Sequence, residues 1–160
     1  GLAGADNANM VFIGPGLVVR GDEIWQFGTG FRNRHGAVEH RKERADGVIY
    51  RHVQRIDGFV SLDFSAAGGR AEVRDVVVDG AGLFANLDTG ALGTVRLGLL
   101  DEAGRPVPGY GVDDCDPLRT NATRAPVTWR GHFDTAPLRG RTLRIVIAGD
   151  RAKVFSLFFN

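Results

Sequence analysis

Side chains able to act as nucleophiles are scarce in this chain. Its three serines, Ser61, Ser65 and Ser156, each lie in or beside a stretch of alternating apolar residues that reads as a strand. No Gly-x-Ser-x-Gly occurs, so the strained turn that lifts a hydrolase serine above its sheet is missing. Cys115 is the single cysteine and stands between Asp114 and Asp116. Two neighbouring carboxylates favour a protonated thiol, which opposes thiolate chemistry. One cysteine supports neither an intrachain disulfide nor a cysteine zinc site. The histidines, His35, His40, His52 and His132, show no paired metal-binding spacing.

Oxygen ligands are more plentiful. Asp113, Asp114 and Asp116, with Asn121 nearby, put hard donors into one stretch rich in Asp, Gly and Pro, so calcium is the metal to weigh. The spacing fits no EF-hand loop, and aspartates in turns commonly bond their own backbone. A structural loop is the preferred reading, and no cofactor is expected. A pair of carboxylates would suit glycoside hydrolysis. Asp57, Asp63 and Asp88, however, read as strand-end and wet-face residues. Trp25 and Trp129 are the side chains able to stack on a sugar ring, although both occupy alternating strand positions where a core role is the commoner explanation. Arg32 and His35 begin a charged stretch, residues 31–47, which reads as a solvated connector or, more sharply, as a polar site.

The elements that must position these groups are short strands. In residues 83–106, Leu83, Ala85 and Leu87 alternate with Phe84, Asn86 and Asp88. Beyond a Gly-containing turn, Val95, Leu97 and Leu99 alternate with Thr94, Arg96 and Gly98. This pair reads as a hairpin at the middle of a β-sandwich. Residues 16–30 read as another hairpin about Gly21 and Asp22, and a lone hairpin needs a sheet to join. Further strands are expected at residues 10–13, 48–56, 59–64, 71–78, 126–130, 143–148 and 154–159, with a loop at 107–123. A shift of apolar parity near Asp75 predicts a bulge. No stretch has a helical period. The expected fold is all-β: an antiparallel, jelly-roll-like sandwich over residues 48–160, preceded by a hairpin and connector over residues 1–47.

Composition bounds the rest. A chain of 160 residues with 43% hydrophobic content supports one cored domain, or one plus a piece of a neighbour. The net charge of +1 makes no electrostatic case for nucleic acid or an anionic membrane, and no apolar run approaches the roughly 20 residues of a spanning helix. Lys42 and Lys153 are the only lysines among many arginines, which suggests a GC-rich bacterial genome. The compartment is left open. Gly1 in place of Met reads as a trimmed terminus or the start of a piece of a longer protein.

Two parts of the chain resemble a known arrangement. Residues 12–31, FIGPGLVVRGDEIWQFGTGF, are similar to a blade of the five-bladed β-propeller glycoside hydrolases related to families 32 and 43. The Gly14-Pro15-Gly16 turn, the Gly21-Asp22 turn and the aromatic strand Ile24-Trp25-Gln26-Phe27 carry that likeness. Residues 50–159, through RIDGFVSL, NLD, DCD, VTW and FSL in order, resemble the β-sandwich that follows the last blade in such bacterial enzymes. The resemblance implies a non-catalytic accessory sandwich that packs on a propeller. It implies no catalytic residue here, since the acidic triad lies in earlier blades. Arg32, His35 and Trp25 are the carbohydrate-contact candidates it suggests. The implied partners are the rest of a propeller enzyme, or another copy of the chain, and carbohydrate. The alternatives are an independent lectin-like module, which predicts a row of exposed aromatics on one sheet face, and an assembly jelly roll, which predicts a symmetric oligomer.

Overall fold

The computed structural model describes residues 5–32, 34 and 47–160. The fold is all-β and antiparallel, and the chain divides into two compact units, residues 1–56 and 57–160.

The first unit is one sheet. Strands β1 (Met10–Ile13) and β2 (Val18–Arg20) lie end to end along one edge of β3 (Glu23–Phe31), and β4 (Gly47–Arg55) runs along the other. Gly14-Pro15-Gly16 interrupts the β1–β2 edge, and the Gly14 N–H still bonds the Phe27 carbonyl at 2.8 Å. The hairpin expected at residues 16–30 is the β2–β3 pair, turning at Gly21, whose φ of 60° suits glycine. Every residue of β4 pairs with β3. Sequence reading had given this strand to the sandwich.

The second unit is the sandwich. Its strands are β5 (Leu62–Phe64), β6 (Gly69–Val77), β7 (Leu83–Asp88), β8 (Thr94–Leu100), β9 (Asn121–Pro126), β10 (Thr142–Asp150) and β11 (Ala152–Phe159). One sheet has the order β5-β11-β7-β9 and the other β6-β10-β8. Consecutive strands therefore alternate between the sheets at every step, which is jelly-roll winding. This corrects the hairpin expected at residues 83–106. β7 and β8 have the alternation described above, but they lie in opposite sheets and line the core from both sides. Alternation reports which face is buried and is blind to which neighbour supplies the hydrogen bonds.

The core holds Leu83, Ala85 and Leu87 from β7, Val95, Leu97 and Leu99 from β8, and Leu143, Ile145 and Ile147 from β10. Trp129 is 1% exposed and sits among them, as its alternating position suggested. The loop expected at residues 107–123 hides the first residues of β9, and the strand expected at 126–130 leaves the sheet after Pro126. Ala-Thr-Arg-Ala in β9 lacks the apolar run that marks a strand by pattern. The bulge expected near Asp75 is present. Leu143 pairs with Val76 and Ile145 with Val73, so Arg74 and Asp75 oppose Arg144 alone, and Asp75 has φ 55°.

Candidate functional site

In the first unit, Trp25 lies on the sheet face that also carries Arg20, Glu23 and Arg51. Strand pairing places one arginine on each flanking strand. The Arg51 guanidinium lies 4.3 Å and the Arg20 guanidinium 4.9 Å from the indole ring. The indole N–H donates to Glu23 Oε2 at 2.6 Å. Each cation–π contact at an exposed site is worth about 0.5–1 kcal/mol, so these arginines compete with any sugar for the ring. Arg32 pairs with Asp6 and lies seven residues further on, about 23 Å at strand spacing. Trp25 and Arg32 thus belong to separate surfaces. His35 lies outside the described residues.

The same sheet exposes large apolar side chains on both faces, among polar ones. Phe12, Val18, Phe27, Ile49 and Val53 share the Trp25 face, while Val11, Ile13 and Val19 share the opposite one. All are exposed, from 42% at Val11 to 76% at Ile49.

In the sandwich, two of the aspartates weighed for calcium, Asp114 and Asp116, bond to the loop and the turn beside it. Asp116 Oδ2 accepts from Thr128 Oγ1 at 2.6 Å and from the Gly131 N–H at 2.8 Å. These hydrogen bonds hold its carboxyl below the ordinary value of 3.8. Asp114 pairs with Arg130 and accepts from the Gly111 N–H, while Asp113 is exposed. Among the described residues no group of three or more His, Cys, Asp or Glu side chains is placed to hold a metal ion. Cys115 is buried, and burial raises its thiol above the usual value, so it stays protonated.

A polar row crosses the outer face of the four-stranded sheet. Asp63, Lys153, Asp88 and Asn121 are paired across β5, β11, β7 and β9. Lys153 Nζ lies 3.3 Å from Asp63, and Asn121 Nδ2 donates to Asp88 at 3.2 Å. Asp63 and Asp88 both line a groove on this face. The Ser61 hydroxyl and Lys153 lower the Asp63 carboxyl, whereas a glycosidase general acid must be raised. Further along the face, Phe84 and Phe158 stack with ring centroids 5.6 Å apart, and Arg124 lies over both. Sequence reading missed this cluster because its members come from three strands that are distant in the chain.

No family model, curated protein or solved structure matches this chain.

Proposed function

We propose that the chain is a non-catalytic accessory segment of a larger glycoside hydrolase of the five-bladed β-propeller class. On this reading the sheet of residues 1–56 takes a place among propeller blades, and the sandwich packs beside them. The observation that carries it is the exposure of large apolar side chains on both faces of that one sheet. A sheet at the surface of a sandwich is apolar on one side and wet on the other, whereas a blade stacked between blades is covered on both. Sugar hydroxyls would find partners in the polar row from Asp63 to Asn121. A lectin-like module is less well supported, because the Phe84–Phe158 pair is covered by Arg124.

The test is limited proteolysis of the chain beside a screen for glycoside hydrolysis. Rapid cutting within residues 1–56, persistence of residues 57–160 and no turnover are expected. Hydrolysis of any glycoside by this chain, or an N-terminal sheet as resistant as the sandwich, would overturn the reading.

A further inference from the structure

The two sheets of the sandwich part along one edge, between β6 and β5. The cleft there has a volume of about 510 Å³, within the range of small-molecule sites. Its floor is core: Leu83, Ile145 and Ile147 are all under 4% exposed. Its rim is open: Val73 is 43%, Leu62 38% and Val60 76% exposed. A β-bulge marks each wall. On β6, Arg74 and Asp75 are bulged between Val73 and Val76, which both line the cleft. On β11, Phe155 is the extra residue between Val154 and Ser156, and it also lines the cleft. Bulges bend a strand and re-aim its side chains, so the parting of the sheets coincides with a change of backbone register on each wall.

We infer that this cleft binds an elongated hydrocarbon chain, such as an alkyl or fatty acyl group. Chemistry selects that class. No charged side chain lines the cleft, and its two hydroxyls are already engaged: Ser156 Oγ donates to Asp57 at 2.7 Å, and Ser61 Oγ donates to Asp63. A sugar, nucleotide or peptide would bury polar groups without partners there, at a cost of a few kcal/mol each. An added protein strand would need a continuous edge on β6. The bulge at Asp75 and the exposed charges of Arg70, Glu72 and Arg74 blunt that edge. A methylene chain needs no polar partner and gains about 0.8 kcal/mol per buried CH₂. This inference is independent of the glycoside hydrolase reading.

The experiment titrates the whole chain with cis-parinaric acid, whose fluorescence rises in apolar surroundings, and competes it with uncharged dodecanol. Saturable one-to-one binding displaced by dodecanol is expected. Val73→Trp, which fills the rim from β6, should weaken it roughly tenfold or more, and Leu62→Trp should do the same from the opposite sheet. Val77→Trp, on the outward side of β6, should leave it unchanged. Thermal melts of each variant confirm that it is folded, and either blocking variant suffices if the other unfolds. The inference is overturned by absence of saturable binding, or by equal binding in the folded blocking variants, which would place the probe on the exposed N-terminal sheet. A dimeric chain that takes up probe only on dilution would overturn it too, in favour of a second copy as occupant.

Discussion

The two long edges of the sandwich are finished in opposite ways. At β8 the edge is sewn shut by the stretch that follows it. Leu99 donates to the Tyr110 carbonyl at 2.8 Å and accepts from Val107 at 2.9 Å, and Val95 exchanges bonds with Leu118. Between them, the Leu97 N–H bonds Cys115 Sγ at 3.2 Å, and Trp129 Nε1 donates to the Leu97 carbonyl at 3.0 Å. A loop with little regular structure thus does the work of a partner strand. At β6, among the described residues of the sandwich, no segment is hydrogen-bonded along the outer edge; a bulge and surface charges interrupt it, and the apolar interior is reachable beside it. Unpaired edges invite association, and the molecule uses two remedies for one hazard. The first remedy makes the loop part of the core. The second leaves an accessible cleft.

That contrast can be broken by truncating one residue at each edge. Trp129→Ala removes a buried ring and its bond to β8, and should cost about 3–5 kcal/mol in urea unfolding. Val73→Ala, at the open edge, should change stability by only about 0.5 kcal/mol. Comparable losses would mean that the β6 edge is closed in solution. Glycine positions sharpen the same comparison. A Cβ on Gly98 of β8 would stand 2.6 Å from the Val112 nitrogen, because the loop lies hard against the strand. Gly98→Ala should therefore cost about 1–3 kcal/mol by overpacking against backbone. On β6, a Cβ on Gly69 would meet the Phe64 ring at 3.2 Å. That side chain can give way, so Gly69→Ala should cost less, which parallel denaturant curves will show.

These edges also mark how far the sequence could be read. Alternation in β7, β8, β10 and β11 is strong because each has one face in the core, and the parity break at Asp75 exposed a bulge before any pairing was known. Pairing itself was hidden: strand order depends on contacts such as β11 with β7, far apart in the chain, and jelly-roll winding never pairs neighbours. The loop at residues 107–123 looked loose because its bonds run to β8 edge groups that no local pattern records. Of the candidate contacts, Trp25 could be placed on a strand, but its two arginines could not. Arg20 and Arg51 reach it only through sheet register. The cleft left no trace in composition, since Val73 and Ile147 both stand in stretches, 71–78 and 143–148, that read as ordinary strands.

The sewn edge should also carry an acid sensitivity. The Asp116 carboxyl, lowered by the Thr128 hydroxyl and the Gly131 N–H, ties the loop to the turn after Trp129. A group whose native value is depressed contributes stability above its ordinary value, here 3.8, and loses it as pH falls through the native value. Asp63 and Asp101 are displaced the same way, so part of the acid response will survive in Asp116→Asn. The expected outcome is a shallower fall of the urea midpoint on acidification below pH 3.8 than in the parent chain. An identical slope would mean that the carboxylate does not hold the loop.

The smallest effect separates backbone strain from charge in that turn. Arg130 and Gly131 connect Trp129 to His132, whose backbone groups bond each other at 2.8 and 2.9 Å, as in a two-residue hairpin turn. Both central residues have left-handed φ, 51° at Arg130 and 78° at Gly131. Arginine pays a steric penalty there that asparagine largely escapes. Its ion pair with Asp114 contributes little, because the arginine side chain is 76% exposed. Arg130→Asn should therefore stabilise the sandwich by about 0.5 kcal/mol. Arg130→Ala keeps the strain and loses only the ion pair, so it should be neutral or slightly destabilising. If the two variants move together, the ion pair, and not the backbone, sets the energy of this turn.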